Sequence, residues 1–404
     1  MAHPPPAADC RPSPSATTQQ QAPSASPASR GTKPDLASIL SVHDFESVAS
    51  QSFSPQTWAF VSSAATDLHT KARNAATYAR ITLRPRILRD VSVVDTATSL
   101  LGYKLHVPLF ASPTALAGLV HPDGEKAIGC AVKAAGMAQC VSMSASYPLQ
   151  DIIEEIRRHP METGHETPVF VQFFVNKDRA VTRRLLQEAK RLGVSALFLT
   201  VDAAHAGKRE ADERIRIVGD GFSSPSTGVA ATRDAGLGRA LGSVIDNSIT
   251  WDDVRWIREH ASGMKLVLKG VQTPEDAVLA VEAGLDGIVV SNHGGRTLDT
   301  APATILVLLE LRKRCPQVFA ALDVMVDGGV TRGTDVFKAL CLGAKAVGLG
   351  RATLYGLGYG YEGALKVFEI LQDELEATMK LCGVTRISQL HAGYVNTLDV
   401  DHLI

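Results

Sequence analysis

From Val107 onward the chain alternates short runs of apolar, often β-branched residues with longer stretches in which apolar positions recur at helical spacing. Eight runs stand out, at 109–111, 139–141, 169–173, 196–201, 265–268, 287–290, 324–326 and 346–349. Such runs suit strands buried on both faces of a parallel sheet. Most are followed by a helix signal. The clearest is Thr273-Pro274-Glu275-Asp276, where an N-cap threonine, a proline at the first helical position and first-turn acids precede residues 277–283 and a terminating Gly284. Eight strand–helix units predict an α/β fold of the TIM (β/α)8 barrel class. A doubly wound sheet would usually open with a Gly-rich turn after its first strand, and Ser112-Pro113-Thr114-Ala115 is not one.

Ahead of the barrel, residues 42–66 read as helical and amphipathic and lead into the charged connection Arg80-Ile81-Thr82-Leu83-Arg84-Pro85-Arg86. This predicts an N-terminal helical cap. After the fourth strand a Gly/Ser-rich insert at about 219–242 exceeds the usual structureless loop, which predicts a lid or mobile segment. Residues 1–34 hold eight of the 20 prolines and no Leu, Ile, Val or aromatic residue, so they predict a disordered tail in front of one domain over 35–404.

Charge and cysteine content narrow the function classes. Lys plus Arg number 41 against 42 Asp plus Glu, which gives no field for nucleic acid or an anionic membrane and means that any anion must be held locally. No apolar run approaches the roughly 18 to 20 residues of a bilayer span. Neither nucleic acid nor membrane is an expected partner. The six cysteines are far apart and without C-x-x-C spacing, so no metal site is expected, and free thiols in a reducing compartment are. The N-terminus lacks the apolar core of a secretory signal, its prolines preclude a good amphipathic transit helix, and Asp399-Val400-Asp401-His402-Leu403-Ile404 is not a peroxisomal tripeptide. Cytoplasmic location is the expectation.

Polar residues and glycines interrupt the apolar pattern just after the strand runs, where a TIM barrel carries its active site. Pro113-Thr114-Ala115 follow the first run, the second ends near Ser142, the third carries Gln172 and the fourth runs into Thr200-Val201-Asp202. Each alone is compatible with a turn. Lys269, after the fifth run, would be costly to bury without an anionic partner. The sixth run opens into Ser291-Asn292-His293-Gly294-Gly295-Arg296, which offers a base, two glycines and a guanidinium within one turn. A lone histidine is more often a structural hydrogen-bonder, but with an arginine three residues on at a strand end the balance shifts to catalysis. Asp327-Gly328-Gly329 and Gly348-Leu349-Gly350-Arg351 place glycines in the last two loops, where barrels bind phosphate through backbone N–H groups. Arg351 would add charge. A phosphate there, a lysine at strand five and a His–Arg pair at strand six suggest FMN across the barrel mouth, with Lys269 favouring the anionic edge of the reduced ring.

Together with Leu340-Cys341-Leu342-Gly343-Ala344 and Arg332-Gly333-Thr334-Asp335, these motifs resemble the FMN-dependent α-hydroxy-acid dehydrogenase and oxidase family, over about residues 43–392. The resemblance implies that His293 is the active-site base, oriented by Asp202, and that Arg296 and Arg209 hold the substrate carboxylate. It assigns FMN contacts to Pro113, Thr114, Ala115, Ser142, Gln172, Thr200, Lys269, Ser291, Asp327, Gly328, Gly329, Gly350 and Arg351. The implied partners are a small 2-hydroxy acid and oxygen or a separate electron acceptor, and a homotetramer is expected because relatives often form one.

Three positions depart from the family pattern. Phe60 and Phe174 stand where the family usually has tyrosines that hydrogen-bond the substrate, and Thr331 where it commonly has a phosphate-contacting arginine. Each lost hydrogen bond to a charged group is worth about 1.5–3 kcal/mol, so small polar acids should turn over less well. The set Lys269, His293, Arg296 and Arg209 being intact, the expectation is a pocket retuned for a larger or less polar 2-hydroxy acid. Oxidative decarboxylation or other flavin chemistry, and a catalytically impaired flavin-binding protein, are the alternatives.

Overall fold

Eight parallel strands close on themselves in the computed structural model, which describes residues 33–160, 167–215, 236–261 and 263–404. They are β1 (Leu109–Ala111), β2 (Ala138–Ser142), β3 (Val169–Phe173), β4 (Ala196–Thr200), β5 (Lys265–Val271), β6 (Gly287–Val290), β7 (Asp323–Asp327) and β8 (Ala346–Leu349). Each pairs with its sequence neighbours and β8 pairs back onto β1, with Val347 opposite Leu109. The eight apolar runs read from the sequence are these strands, and the fold is a TIM barrel.

The barrel interior is solid. Phe110, Phe170 and Phe198 meet inside it, the last two stacked at 5.1 Å between ring centroids. Leu100, Leu101 and Leu105, carried by an antiparallel hairpin of Thr98–Leu100 and Tyr103–Leu105, plug the lower end. The Leu101 amide is tied there to the Asp323 carboxylate at 2.6 Å. The helix after β5 spans Pro274–Glu282 with Thr273 as its N-cap, its hydroxyl accepting from the Asp276 amide.

The N-terminal cap differs in detail from the sequence expectation. Residues 42–66 do not form one continuous helical stretch but α1 (Val42–Ser52) and α2 (Pro55–Ser62), separated by Phe53 and Ser54, with residues 63–66 outside either helix. Ser54 takes an extended backbone, as a residue before proline must, and its hydroxyl accepts from the Thr57 amide. A third cap helix, α3 (His69–Arg80), follows. Most of the expected tail and much of the 219–242 insert lie outside the described residues. Two residues assigned to the tail pack on the body: Lys33 bonds the Gly358 carbonyl, and the Pro34 carbonyl accepts from the Tyr359 hydroxyl at 2.9 Å. Residues 237–242 form a short helix rather than loop. Among the described residues no helix is long and apolar enough to cross a membrane.

Candidate active site

Strand pleating builds the floor of the site. Residues two apart point to the same side, so one step above the inward apolar layer the next inward position on every strand lies at the barrel mouth. Above Phe110, Cys140, Phe170, Phe198, Val267, Val289, Met325 and Ala346 stand Ser112, Ser142, Gln172, Thr200, Lys269, Ser291, Asp327 and Gly348. A buried polar ring therefore sits directly on the core. Gly348 is the small member of necessity, since a Cβ there would lie 2.3 Å from Ser112 Oγ and 2.7 Å from Phe110.

Lys269 is the charged centre of this ring. Its ammonium is buried, donates to Ser291 Oγ at 3.0 Å and lies 3.5 Å from Asp327 Oδ2, which also accepts from Ser112 Oγ at 3.2 Å. Burial works to strip its proton, but Asp327 and Asp202 outweigh that and hold the ammonium above its ordinary range. The anionic partner that the sequence called for is thus Asp327.

At the end of β6, Asn292 accepts from the Gly295 amide and His293 adopts a left-handed backbone, φ 56°. This turns the imidazole toward β4, where Nδ1 meets Asp202 Oδ1 at 2.8 Å. The Asp202 side chain is wholly buried. Burial alone would raise its pKa, yet His293 and Lys269 hold the carboxyl below the usual range, so it stays an anion behind the ring. With Nδ1 engaged, Nε2 is the nitrogen left for a ligand. Phe174 lies nearly parallel to the imidazole, 14° between planes at 6.5 Å.

The two substrate arginines named from the sequence converge on Phe60. The guanidinium carbons of Arg296 and Arg209 lie 5.3 and 5.9 Å from its ring centroid, a cation–π spacing for both. The C-terminal end of α2, whose last carbonyls carry partial negative charge, draws in three cations. Arg296 donates to the carbonyls of Phe60, Val61 and Ser63 at 2.9–3.1 Å. Arg351 donates to Val61 and Ser63, and also to Gly294. Lys71, from α3, donates to Ser62 at 2.9 Å. Burial, with Arg209 and Arg351 nearby, pulls the pKa of Arg296 well below the ordinary arginine value.

These groups line one cavity of about 290 Å3, which runs from Gln172 and Thr200 past Lys269 and His293 to Gly328, Gly329, Gly350 and Arg351. Pro113, Thr114, Ala115 and Ser142 also line it. Ser291 lies below, reaching the cavity through Lys269. Two buried polar atoms on its floor, Gln172 Nε2 and Thr200 Oγ1, have no protein partner. Buried donors left so are expensive unless a ligand meets them. A flat ring with a polar edge, followed by a phosphate at the glycine loops, fits this arrangement. The residues present suit FMN.

A family model described as FMN-dependent dehydrogenase matches residues 49–397, and the chain belongs to that family. Among curated relatives, it is 42% identical over 369 residues to the L-lactate dehydrogenase (cytochrome) of Saccharomyces cerevisiae, covering 88% of this chain and 60% of that protein. The chain thus spans about 60% of that relative's length. It is 39% identical over 365 residues to the peroxisomal (S)-2-hydroxy-acid oxidase of Oryza sativa subsp. japonica, covering 89% and 96%. A solved soluble mutant of the membrane-associated (S)-mandelate dehydrogenase from Pseudomonas putida superposes with TM-score 0.79 at 29% identity, covering 89% of this chain and 99% of that one.

Two contributions to the site were not legible in sequence. Asn74 and Asn292 exchange amide hydrogen bonds, both 2.8 Å, locking α3 against the histidine loop. Lys71, one turn earlier on α3, enters the cavity. The only signal for either was the charged and amide-bearing sequence Lys71-Ala72-Arg73-Asn74 on a segment whose facing was unknown.

Proposed function

We propose that this chain uses FMN to oxidise a 2-hydroxy acid to the 2-oxo acid, and that the preferred acid is larger or less polar than glycolate or lactate. The observation that carries the reading is His293, tied to Asp202 at 2.8 Å, beside two guanidiniums gathered on one phenylalanine ring. FMN, when bound, supplies the two-electron acceptor. Arg209 and Arg296 hold the substrate carboxylate, since guanidinium forks match its two oxygens. That places the α-carbon by the imidazole, whose Nε2 takes up the substrate proton while Asp202 stabilises the resulting cation. Gln172 and Thr200 would meet the polar edge of a bound flavin, Lys269 would favour the charge it gains on reduction, and Gly328, Gly329, Gly350 and Arg351 would hold the phosphate. Pro113, Thr114, Ala115, Ser142, Ser291 and Asp327 would complete the cofactor shell.

Phe60 and Phe174 support the apolar-substrate reading, because neither offers a hydroxyl to the substrate and both line the cavity. The test is anaerobic spectroscopy of the purified protein with a panel of small and bulky 2-hydroxy acids, followed by oxygen. Bleaching of the flavin by bulky acids in preference to glycolate is the expected result. Bound flavin that no acid reduces would overturn the oxidation reading and leave the impaired or altered-chemistry alternatives. Rapid return of colour in air would identify oxygen as the acceptor; slow return would point to a separate one. Residence in the cytoplasm and assembly as a homotetramer are part of the same proposal. Among the described residues all five cysteines are free and buried, as suits a reducing compartment. Cell fractionation and light scattering check the two statements.

A further inference from the structure

The phosphate end of the cavity has a donor problem. Arg351 already gives three hydrogen bonds to backbone carbonyls, those of Val61, Ser63 and Gly294. A guanidinium has five N–H groups in a fixed fork, so only the two on Nη1 are left for a phosphate that offers three oxygens. Thr331, which lines the same cavity beyond Gly328 and Gly329, brings no charge, and its amide is turned to Asp335 at 3.1 Å. A phosphate monoester nevertheless carries about −1.5 to −2 at neutral pH.

Lys71 is placed to meet this need. α3 is pressed against the histidine loop so closely that a Cβ on Gly295, φ 76°, would lie 2.7 Å from the Lys71 backbone nitrogen. From there the side chain enters the cavity and lies near Arg351, Arg296 and Glu46. One of its three N–H bonds goes to the Ser62 carbonyl, leaving two donors uncommitted among the hydrogen bonds described. Charge gives the same answer. The cavity wall holds five basic side chains, Lys71, Arg209, Lys269, Arg296 and Arg351, against two carboxylates, Glu46 and Asp327, while Asp202 sits behind the wall on His293. A phosphate dianion together with one substrate carboxylate brings three negative charges, so once Asp202 is counted no cation of the five is in surplus. Loss of Lys71 would widen the shortfall.

We infer that Lys71 supplies to the FMN phosphate the positive charge that Thr331 does not. The inference rests on the phosphate lying at the last two βα loops. It makes the cap a cofactor-binding element, because the cation comes from α3 and not from the barrel.

The test measures flavin binding rather than turnover. The full chain and its variants are dialysed against graded FMN or riboflavin, and bound flavin is read by absorbance. Riboflavin lacks the phosphate, so the ratio of the two affinities isolates that group. Lys71→Met should weaken FMN by about tenfold or more and leave riboflavin unchanged, the loss of one charge-assisted contact. Thr331→Arg in the Lys71→Met background should restore the ratio, and Lys71→Arg should preserve it. Equal loss of both flavins in Lys71→Met, an unchanged ratio, or no rescue by Thr331→Arg would overturn the inference. Arg351→Met separates the two layers of the argument. If it lowers the ratio while Lys71→Met does not, Lys71 alone is misassigned. If neither lowers it, the phosphate lies elsewhere and the inference falls with its premise.

Discussion

Replacing Asp202 by asparagine tests the centre of the proposed chemistry with almost no change of shape. Asp202 Oδ1 lies 2.8 Å from His293 Nδ1 and the carboxylate is wholly buried, so water cannot replace it. The substitution removes a charge that bears on His293 chiefly when the imidazole becomes cationic, as it does on taking the substrate proton, and that also helps hold the Lys269 ammonium. Unit charges about 4 Å apart interact by roughly 1 kcal/mol in bulk water and about 4 kcal/mol at an effective dielectric of 20. Exchanging a charged for a neutral hydrogen bond independently suggests a loss of about 1–2 kcal/mol. The expected outcome is a fall in the rate of flavin reduction of between about tenfold and a thousandfold, at about 1.4 kcal/mol per decade. The assay is single-turnover anaerobic bleaching by the best acid of the panel, with the FMN content and unfolding midpoint of each preparation measured alongside. A reduction rate within twofold of the parent, at full FMN content, would refute the role given to Asp202. Loss of FMN in step with rate would instead make Asp202 a structural support of the cofactor pocket.

Three other changes address different layers of the molecule. Phe174→Tyr sets a hydroxyl beside the imidazole and should raise kcat/KM for lactate or glycolate by about tenfold relative to bulky acids, as steady-state kinetics on paired substrates will show. Gly348→Ala forces a methyl to within 2.3 Å of Ser112 Oγ and 2.7 Å of Phe110, and should destabilise the protein by about 1–3 kcal/mol in urea unfolding. Asp299→Asn acts through pH. That carboxylate accepts from the Thr70 and Asp67 amides and from the Thr66 hydroxyl, and although burial opposes it, hydrogen bonding from the Thr70 and Thr300 amides, the Thr66 hydroxyl and the His69 amide holds its pKa well below the ordinary aspartate value. A depressed folded-state pKa stabilises above the unfolded value and the benefit is lost as pH falls through the folded one. The stability gap between parent and Asp299→Asn should therefore be constant above about pH 5 and narrow below about pH 4.

The barrel was legible because its strands are nearly pure apolar runs, and the site's floor because the period of two puts Gln172, Thr200, Lys269, Ser291 and Asp327 directly above core residues. A polar residue two positions after a buried one, at the end of each run, is a local signal. The break between α1 and α2 was also readable in Ser54-Pro55, an N-cap followed by proline at the first helical position, but the amphipathic pattern on either side masked it. Lys71 and Asn74 were out of reach for another reason. Their partners, Ser62, Asn292 and Arg351, come from elements whose mutual placement no spacing encodes. The contact between Phe60 and the two arginines is of the same kind, although each residue was identified singly.

The end of α2 also governs the order in which the protein can be completed during synthesis. Arg296 follows Phe60 by 236 residues, and Arg351 follows Val61 by 290. At about 5–20 residues per second, a ribosome reaches Arg351 roughly 15–60 s after it has made the helix that will receive it. Throughout that interval α1 and α2 present Phe45, Phe60 and Val61 with no finished barrel to cover them. The cap helices are made well before the residues that fix them, so the waiting cap is a segment that needs protection from aggregation while the barrel closes.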